Sequence, residues 1–312
     1  MKKLKFVLSL TNNDNDYQLE QATAAEEAAQ RLGVELQIFS ADNDAITQSQ
    51  QLLKVIQSPT SAHPDGIIFE PVGGTAMQQV ARAAAAAGIG WVVLNREVEY
   101  MAELRKAHPI PSFVVTSNHE DIGRIQGRQL AALLPDGGPV LYIQGPSDSL
   151  AAKQRTAGMC QTKPAAIDVK PMKAQWTEES SYRMVSSWIR LSTSQQARLV
   201  AVAAQDDSMA MGARKAFQQL PGSTRDRWLK LPYLGCDGLP NSGQAWVRQG
   251  LLTATIYIPP NAGTAMEMLA QAIQSGKMPP EQTLTTPISY PALETLKSRR
   301  GEIASARSAG KL

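Results

Sequence analysis

LKFVLSL at residues 4–10 runs straight into Thr11-Asn12-Asn13, and that junction of apolar run and polar turn decides how the chain is read. The pattern recurs five times. GIIF (66–69) meets Glu70, WVVL (91–94) meets Asn95-Arg96, and PVLYI (139–143) meets Gln144. LVAVAA (199–204) meets Gln205-Asp206-Asp207, and LPYLG (231–235) meets Cys236-Asp237. Such runs are too short for most helices and too apolar for strands with one wet face, so they predict buried parallel strands. Ligands of open α/β sheets bind beyond the carboxyl ends of the strands. The sequence therefore predicts a cleft lined by Asn, Asp, Glu and Arg from many separate loops.

Helix-forming segments fill the intervals. Residues 16–32 are rich in Glu, Gln and Ala and stop at Gly33, a helix ended by a left-handed glycine. VELQIFSA (34–41) reads as a strand and 43–57 as a helix. The Gly73-Gly74-Thr75 turn opens another helix, and PSFVVTSN (111–118) carries the chain out of the first unit. The second unit repeats the grammar. HEDIGRIQGRQLAALL (119–134) is an amphipathic helix with Glu120 and Asp121 at its positive end. Further strands lie in 139–144, 169–176, 199–206 and 231–237, with helices over 149–159, 178–192 and 207–219. LLTATIYIPP (251–260), a helix over 261–276 and an extended return at 285–293 complete the chain. The expected division is 1–115 plus 259–288 for the first lobe and 116–257 for the second. Residues 289–312 are set apart as a C-terminal tail, whose last part, KSRRGEIASARSAGKL (297–312), is expected to fray or to make a loose terminal helix.

Composition excludes several classes. The chain has 312 residues, 43% of them hydrophobic and 19% charged, which suits a soluble two-domain protein. A net charge of +3 gives no case for nucleic acid. Lys2, Lys3 and Lys5 precede an apolar stretch too short for a secretion signal, and we read that stretch as the first strand. No run approaches the ~18–20 apolar residues of a membrane helix. Cys160 and Cys236 are isolated in sequence, so no CxxC site is encoded, and whether they pair stays open. His63, His108 and His119 have no metal-ligand spacing. Gly73-Gly74-Thr75 lacks the lysine of a P-loop, and residues 145–149 are not a nucleophile elbow. Nothing points to a cofactor, a metal or catalysis.

In this order the segments resemble the periplasmic sugar-binding proteins of the ribose-binding type, whose fold also forms the effector domain of lactose-repressor-like regulators. The likeness is carried by SLTNND, GIIFEPV, WVVLNRE, VTSNHEDIGRIQGRQLAALL, QGPSDSLAAKQRTAGM, AQWT, AQDDSMAMGARKAF, YLGCDG and LTATIYIPPNAG. It implies an α/β fold of two similar lobes, each a parallel sheet flanked by helices, joined by a three-crossing hinge. It also implies a site. Asn13 matches the asparagine after the first strand that bonds a sugar hydroxyl. Asn15 and Asp16 occupy places where the family has aromatic rings, with Tyr17 one step on. Glu70 stands where an Asn or Asp commonly ends the third strand, and Asn95-Arg96 match an Asp-Arg pair. Arg155, the aromatic platform Trp176, Asp206 and Asp237 match the second lobe's contacts. The family's glutamine on the last crossing falls at Ile258, beside Tyr257.

Each assignment has a plainer counterpart. Asp206 and Asp237 suit helix or turn capping as well as sugar hydroxyls. Arg155 suits a solvated surface, Trp176 a lobe core, Glu70 support behind the contacting residues, and Arg96 an ion pair with Glu97 or Glu99; Trp91, Trp188, Trp228 and Trp246 are assigned to packing. The resemblance implies capture of a monosaccharide or related polyol for ABC-type uptake, by a monomer that presents itself to an ABC permease or a membrane sensor. The acceptor-rich lining suits a cyclic polyol or an amino- or deoxy-sugar. The periplasm is the implied location, with a cytoplasmic receptor as the alternative. The rival function is the effector domain of a regulator lacking its DNA-binding segment.

Overall fold

The computed structural model describes residues 3–59, 63–72, 77–191, 194 and 197–298. The chain divides into two units, one of residues 1–117 and 259–286, the other of 118–258 and 287 onward, and passes between them three times. The Gly73-Gly74-Thr75 turn and the tail beyond residue 298 lie outside the described residues.

The first unit is a six-stranded parallel sheet. Its strands are β1 (Lys5–Leu10), β2 (Glu35–Ser40), β3 (Gly66–Phe69), β4 (Gly90–Leu94), β5 (Ser112–Ser117) and β11 (Gln282–Thr285), in the order β11-β5-β4-β3-β1-β2. Side chains alternate between two cores. Val7, Ile67, Phe69, Trp91, Val93 and Val114 pack toward α2 (Ala45–Ile56), α3 (Gln78–Ala86) and α4 (Met101–Ala107). Phe6, Leu8, Ile68, Val92, Leu94 and Val115 pack toward α1 (Asp16–Leu32) and α11 (Asn261–Ser275). With both faces covered, the central strands have no polar side to show, which is why they read as unbroken apolar runs. Helix α1 is capped by Asn15 and ends on Gly33 at φ 66°.

The second unit carries β6 (Gly138–Gln144), β7 (Ile167–Lys173), β8 (Ala201–Ala204) and β9 (Tyr233–Leu234), parallel and in the order β7-β6-β8-β9. Leu141, Ile143, Val202 and Ala204 face a core shared with α7 (Glu178–Ile189), α8 (Asp207–Gln218) and α9 (Gly222–Leu229). Val140, Tyr142, Ala201, Ala203 and Leu234 face α5 (His119–Leu133) and α6 (Leu150–Thr162). Helix α10 (Gly243–Arg248) precedes β10 (Thr255–Tyr257), which pairs antiparallel with β12 (Ile288–Tyr290).

Residues 287–288, expected in the first lobe, belong to the second unit, and the extended return is present as β12. The stretch expected to fray, 297–312, lies outside the described residues except for Lys297 and Ser298. β12 is hydrogen-bonded to β10, residues 293–298 are helical, and Leu296 is fully buried among Leu130, Leu133, Val140 and Leu234. One leucine inserted into a core outweighs the polar composition around it. Cys160 is exposed, Cys236 is buried, and both are free thiols.

Candidate functional site

In the first unit, the polar residues at the strand ends form one buried row. Glu70, just past β3, accepts through Oε2 from Gln18 Nε2 at 2.9 Å and Asn95 Nδ2 at 2.8 Å. Asn95 Oδ1 in turn accepts from Asn261 Nδ2, and Asn261 Oδ1 accepts from the Thr285 hydroxyl at 2.8 Å. Ser117 lies 2.9 Å from Thr285 Oγ1. Glu70 Oε2 accepts from both amides, so Asn95 turns its NH2 to Glu70 and its oxygen to Asn261. That choice fixes Asn261, which makes Thr285 a donor and Ser117 the donor to Thr285. On the other side Gln18 Oε1 accepts from Thr11 N at 3.2 Å. The row thus runs along the sheet from β11 and β5 through β4 and β3 to the β1 turn.

A second buried glutamine supports it. Gln48 Nε2 donates to the Glu70 carbonyl at 2.8 Å and Ser9 Oγ at 3.1 Å, while its Oε1 takes Val72 N at 3.0 Å. Asn95 sits at φ 57°, a left-handed conformation that asparagine tolerates.

Other first-unit candidates are placed differently. Asn13 and Asp16 are exposed. Asn15 caps α1, its Oδ1 accepting from Tyr17 N at 2.9 Å and Gln18 N at 3.4 Å. The Tyr17 hydroxyl donates to the Pro259 carbonyl at 3.3 Å. Arg96 is half-buried and donates to the Asn95 carbonyl at 3.4 Å; among the described residues it pairs with neither Glu97 nor Glu99.

The second unit gathers its candidates around Arg155, which is only 8% exposed. Its Nη1 donates to the Gln205 carbonyl, and its Nε reaches His119 Nδ1 at 3.5 Å. The guanidinium lies 5.5 Å from the centre of the Trp176 ring and its Nη1 is 4.0 Å from Asp237 Oδ1. This arginine is built in, rather than solvated. Gln205 holds the floor, taking Gly145 N at 2.8 Å and donating to Tyr142 OH, Ala152 O and Thr156 Oγ1. Trp176, at φ 60°, lies so close to Gly145 that a Cβ there would fall 2.1 Å from the ring. Glycine at 145 is what lets the indole reach this position.

Asp206 caps α8, with Oδ1 taking Met209 N at 2.5 Å. Asp237, at φ 102°, is bridged to Tyr257 through Asp237 N to Ile256 O and Ile258 N to Asp237 O. Asp207, which the sequence reading passed over, is buried. It accepts from Gly238 N at 2.8 Å and Thr255 Oγ1 at 2.7 Å. A Cβ at Gly235 or Gly243 would lie 2.0 Å from its oxygens. Burial, aided by the charge of Asp206, holds its carboxyl above the usual range against the opposing hydrogen bonds from Thr255 and Gly238. Burial likewise raises the Cys236 thiol and the Tyr142 hydroxyl, which makes both poor nucleophiles.

Trp91 and Trp228 are core residues, and Trp188 and Trp246 pack against the second unit's core. Among the described residues no His, Cys, Asp and Glu cluster could hold a metal ion. No helix there is long and apolar enough to cross a membrane. Reasoning from sequence missed Gln18, Gln21, Asn261, Thr285 and Asp207, and it turned Gln48 toward solvent, whereas Gln48 is fully buried. A signal existed for two of them. Gln18 and Gln21 lie on the buried stripe of α1 with Ala25, Ala28 and Ala29, where a polar residue calls for a partner.

Two parallel-sheet units whose strand ends gather fixed donors and acceptors define a binding protein. Residues 6–278 match the periplasmic binding protein domain, and the chain belongs to that family. It is 33% identical over 192 residues to a putative rhizopine-binding protein of Rhizobium meliloti, a match spanning 60% of this chain and 58% of that one. It is 24% identical over 282 residues to the D-allose-binding periplasmic protein of Escherichia coli K12, covering 88% and 86% of the two chains. Its fold is shared with an ABC transporter solute binding protein of Bacillus halodurans C-125 solved with bound myo-inositol. That likeness has a TM-score of 0.77 and 21% identity, over 96% and 98% of the two chains.

Proposed function

We propose that this chain captures a monosaccharide or cyclic polyol and presents it, as a monomer in the periplasm, to an ABC-type permease or a membrane sensor. The observation that supports this most directly is the placement of polar groups at the carboxyl ends of both sheets, held by buried glutamines and asparagines. A polyhydroxylated ligand donates and accepts from every face, and fixed groups of both kinds are what it needs. Arg155, Trp176, Asp237 and Tyr257 in the second unit, with Asn13 and Arg96 in the first, are the proposed contacts. Arg155 supplies a forked donor, and Trp176 a flat apolar face for the C–H side of the ring. Asp16 is exposed at the start of α1, and Asp206 follows Gln205 just past the end of β8. Asn15, Tyr17, Glu70 and Asn95 spend side-chain atoms within the protein and hold the rim in shape. Relatives that bear the names of allose-binding and rhizopine-binding proteins, and a shared fold that holds myo-inositol, support the same ligand class.

The test is a thermal-shift panel of D-allose, D-ribose, myo-inositol, an amino sugar and a sugar acid. At about 100 times Kd a ligand adds about 2.7 kcal/mol of stability, so the melting temperature should rise by about 5–10 °C for units of this size. A neutral or cationic polyhydroxylated compound should give that rise. A panel in which none does would overturn the proposal, and a response to the sugar acid alone would overturn the assigned ligand class.

A further inference from the structure

The buried row in the first unit ends where the chain leaves that unit. Ser117 is its last residue before the first crossing, Asn261 comes three residues after the second, and Thr285 one residue before the boundary at 286. One continuous set of hydrogen bonds therefore joins all three departures to Glu70: Ser117 to Thr285, Thr285 to Asn261, Asn261 to Asn95, and Asn95 to Glu70. The second crossing is held twice over, because Gln21 Oε1 takes Ala262 N at 2.8 Å and the Tyr17 hydroxyl donates to Pro259 O.

We propose that Glu70 is a positioning residue that fixes these three departures relative to one another, rather than a ligand contact. Two features make it the controlling member. It takes the NH2 of Asn95, which leaves the Asn95 oxygen to Asn261 and so orders the bonds that follow to Thr285 and Ser117. It is also nearly inaccessible, 6% exposed, with Oε2 shared between Gln18 and Asn95. An apolar side chain at 70 would leave Asn95 free to turn its amide. The amide of Asn261 would then lose its enforced orientation, and Thr285 its fixed acceptor. The disturbance would travel along the sheet to the chain departures and leave the apolar cores on either face in place. A neutral glutamine side chain at this position can still offer its oxygen to both amides, so the conservative replacement should preserve the row. That this ordering tunes ligand affinity rests on the function proposed above; the ordering itself does not.

Hydrogen exchange on the whole unliganded protein separates the possibilities. Glu70→Met should speed exchange about ten-fold in peptides covering 114–119, 256–263 and 282–286. Glu70→Gln should stay within about three-fold of wild type, and the β1 amides of Phe6 to Leu10 should be unchanged in both. If Glu70→Met leaves the three segments at wild-type rates, the inference is wrong. Uniform acceleration across the first unit would also overturn it, since that is what a general stabilising residue gives. Should Glu70→Met not fold, Thr285→Val removes the hydroxyl at the far end. It should speed exchange at 114–119 and 256–263 alone, and unchanged rates there refute the proposal equally. In parallel, Kd for D-allose and myo-inositol is measured in each variant. Failure of both compounds to bind wild type counts against the ligand class, while the exchange rates still decide the role of Glu70.

Discussion

Replacing Arg155 with methionine should cost stability even without ligand, because the guanidinium is part of the second unit's interior. Methionine keeps most of the aliphatic volume, so the change isolates the charged head. Lost with it is a charge-assisted hydrogen bond to the Gln205 carbonyl, worth about 1.5–3 kcal/mol. The contact with the half-buried Trp176 ring adds about 0.5–1 kcal/mol. Relief from burying a charge offsets part of this, while the 4.0 Å attraction to Asp237 is lost. The net expectation is a loss of about 2–3 kcal/mol, a balance of the terms just given. With a urea slope of about 1–3 kcal/mol/M, the midpoint should fall by about 0.7–3 M. Trp176, Trp188, Trp228 and Trp246 all lie in the second unit, so tryptophan fluorescence reports mainly on the part being perturbed. A midpoint within about 0.2 M of wild type, at unchanged slope, would mean the arginine is a solvated side chain after all.

Two further outcomes are expected. Asp207 is held neutral more readily in the folded protein than in the unfolded chain, where aspartate ionises near ~3.9. The native state then binds more protons between the two values, so stability is greatest below the unfolded value and falls as pH rises toward the folded one. Asp207→Asn keeps an acceptor for Gly238 N and gains a donor for Thr255, and should flatten urea midpoints measured from about pH 4 upward; parallel pH profiles for the two proteins would refute this. Leu296→Ala should cost about 2–5 kcal/mol in thermal or urea unfolding, whereas a loss below about 0.5 kcal/mol would show that the segment after β12 is dispensable.

All six apolar runs quoted from the sequence became parallel strands, because burial on both faces leaves its mark on every residue of a strand. Elements without that mark went unread. β11, Gln282-Thr283-Leu284-Thr285, is a sheet edge with alternating exposure and no apolar run. Helix α9 has the sequence GSTRDRWL, with Trp228 its one buried residue, and its signal is local geometry rather than pattern. The candidate site was legible as a set of loops but not as a set of roles. Asn15 and Asp206 have the same residue chemistry whether they cap a helix or bond a ligand, and only coordinates show the caps. The row behind Glu70 was hidden because its members come from residues 18, 70, 95, 117, 261 and 285, a range that no spacing rule spans.

The position of β11 and α11 also governs the order in which the molecule can be made. Both belong to the first unit, yet residues 118–258 precede them on the ribosome. From the emergence of Ser117 to that of Thr286 about 170 residues must be added, which at ~5–20 residues per second takes about 8–34 s. Throughout that interval β5 has an unpaired edge, and Phe113, Val115 and Ile68 lack the cover of Met266 and Leu269. A nascent chain released early would carry an open parallel sheet, the kind of edge that pairs with its neighbours. Synthesis therefore has to deliver the second unit's sequence before the first can close, and the chain's vulnerability to aggregation is set by the speed of translation as much as by the stability of the finished fold.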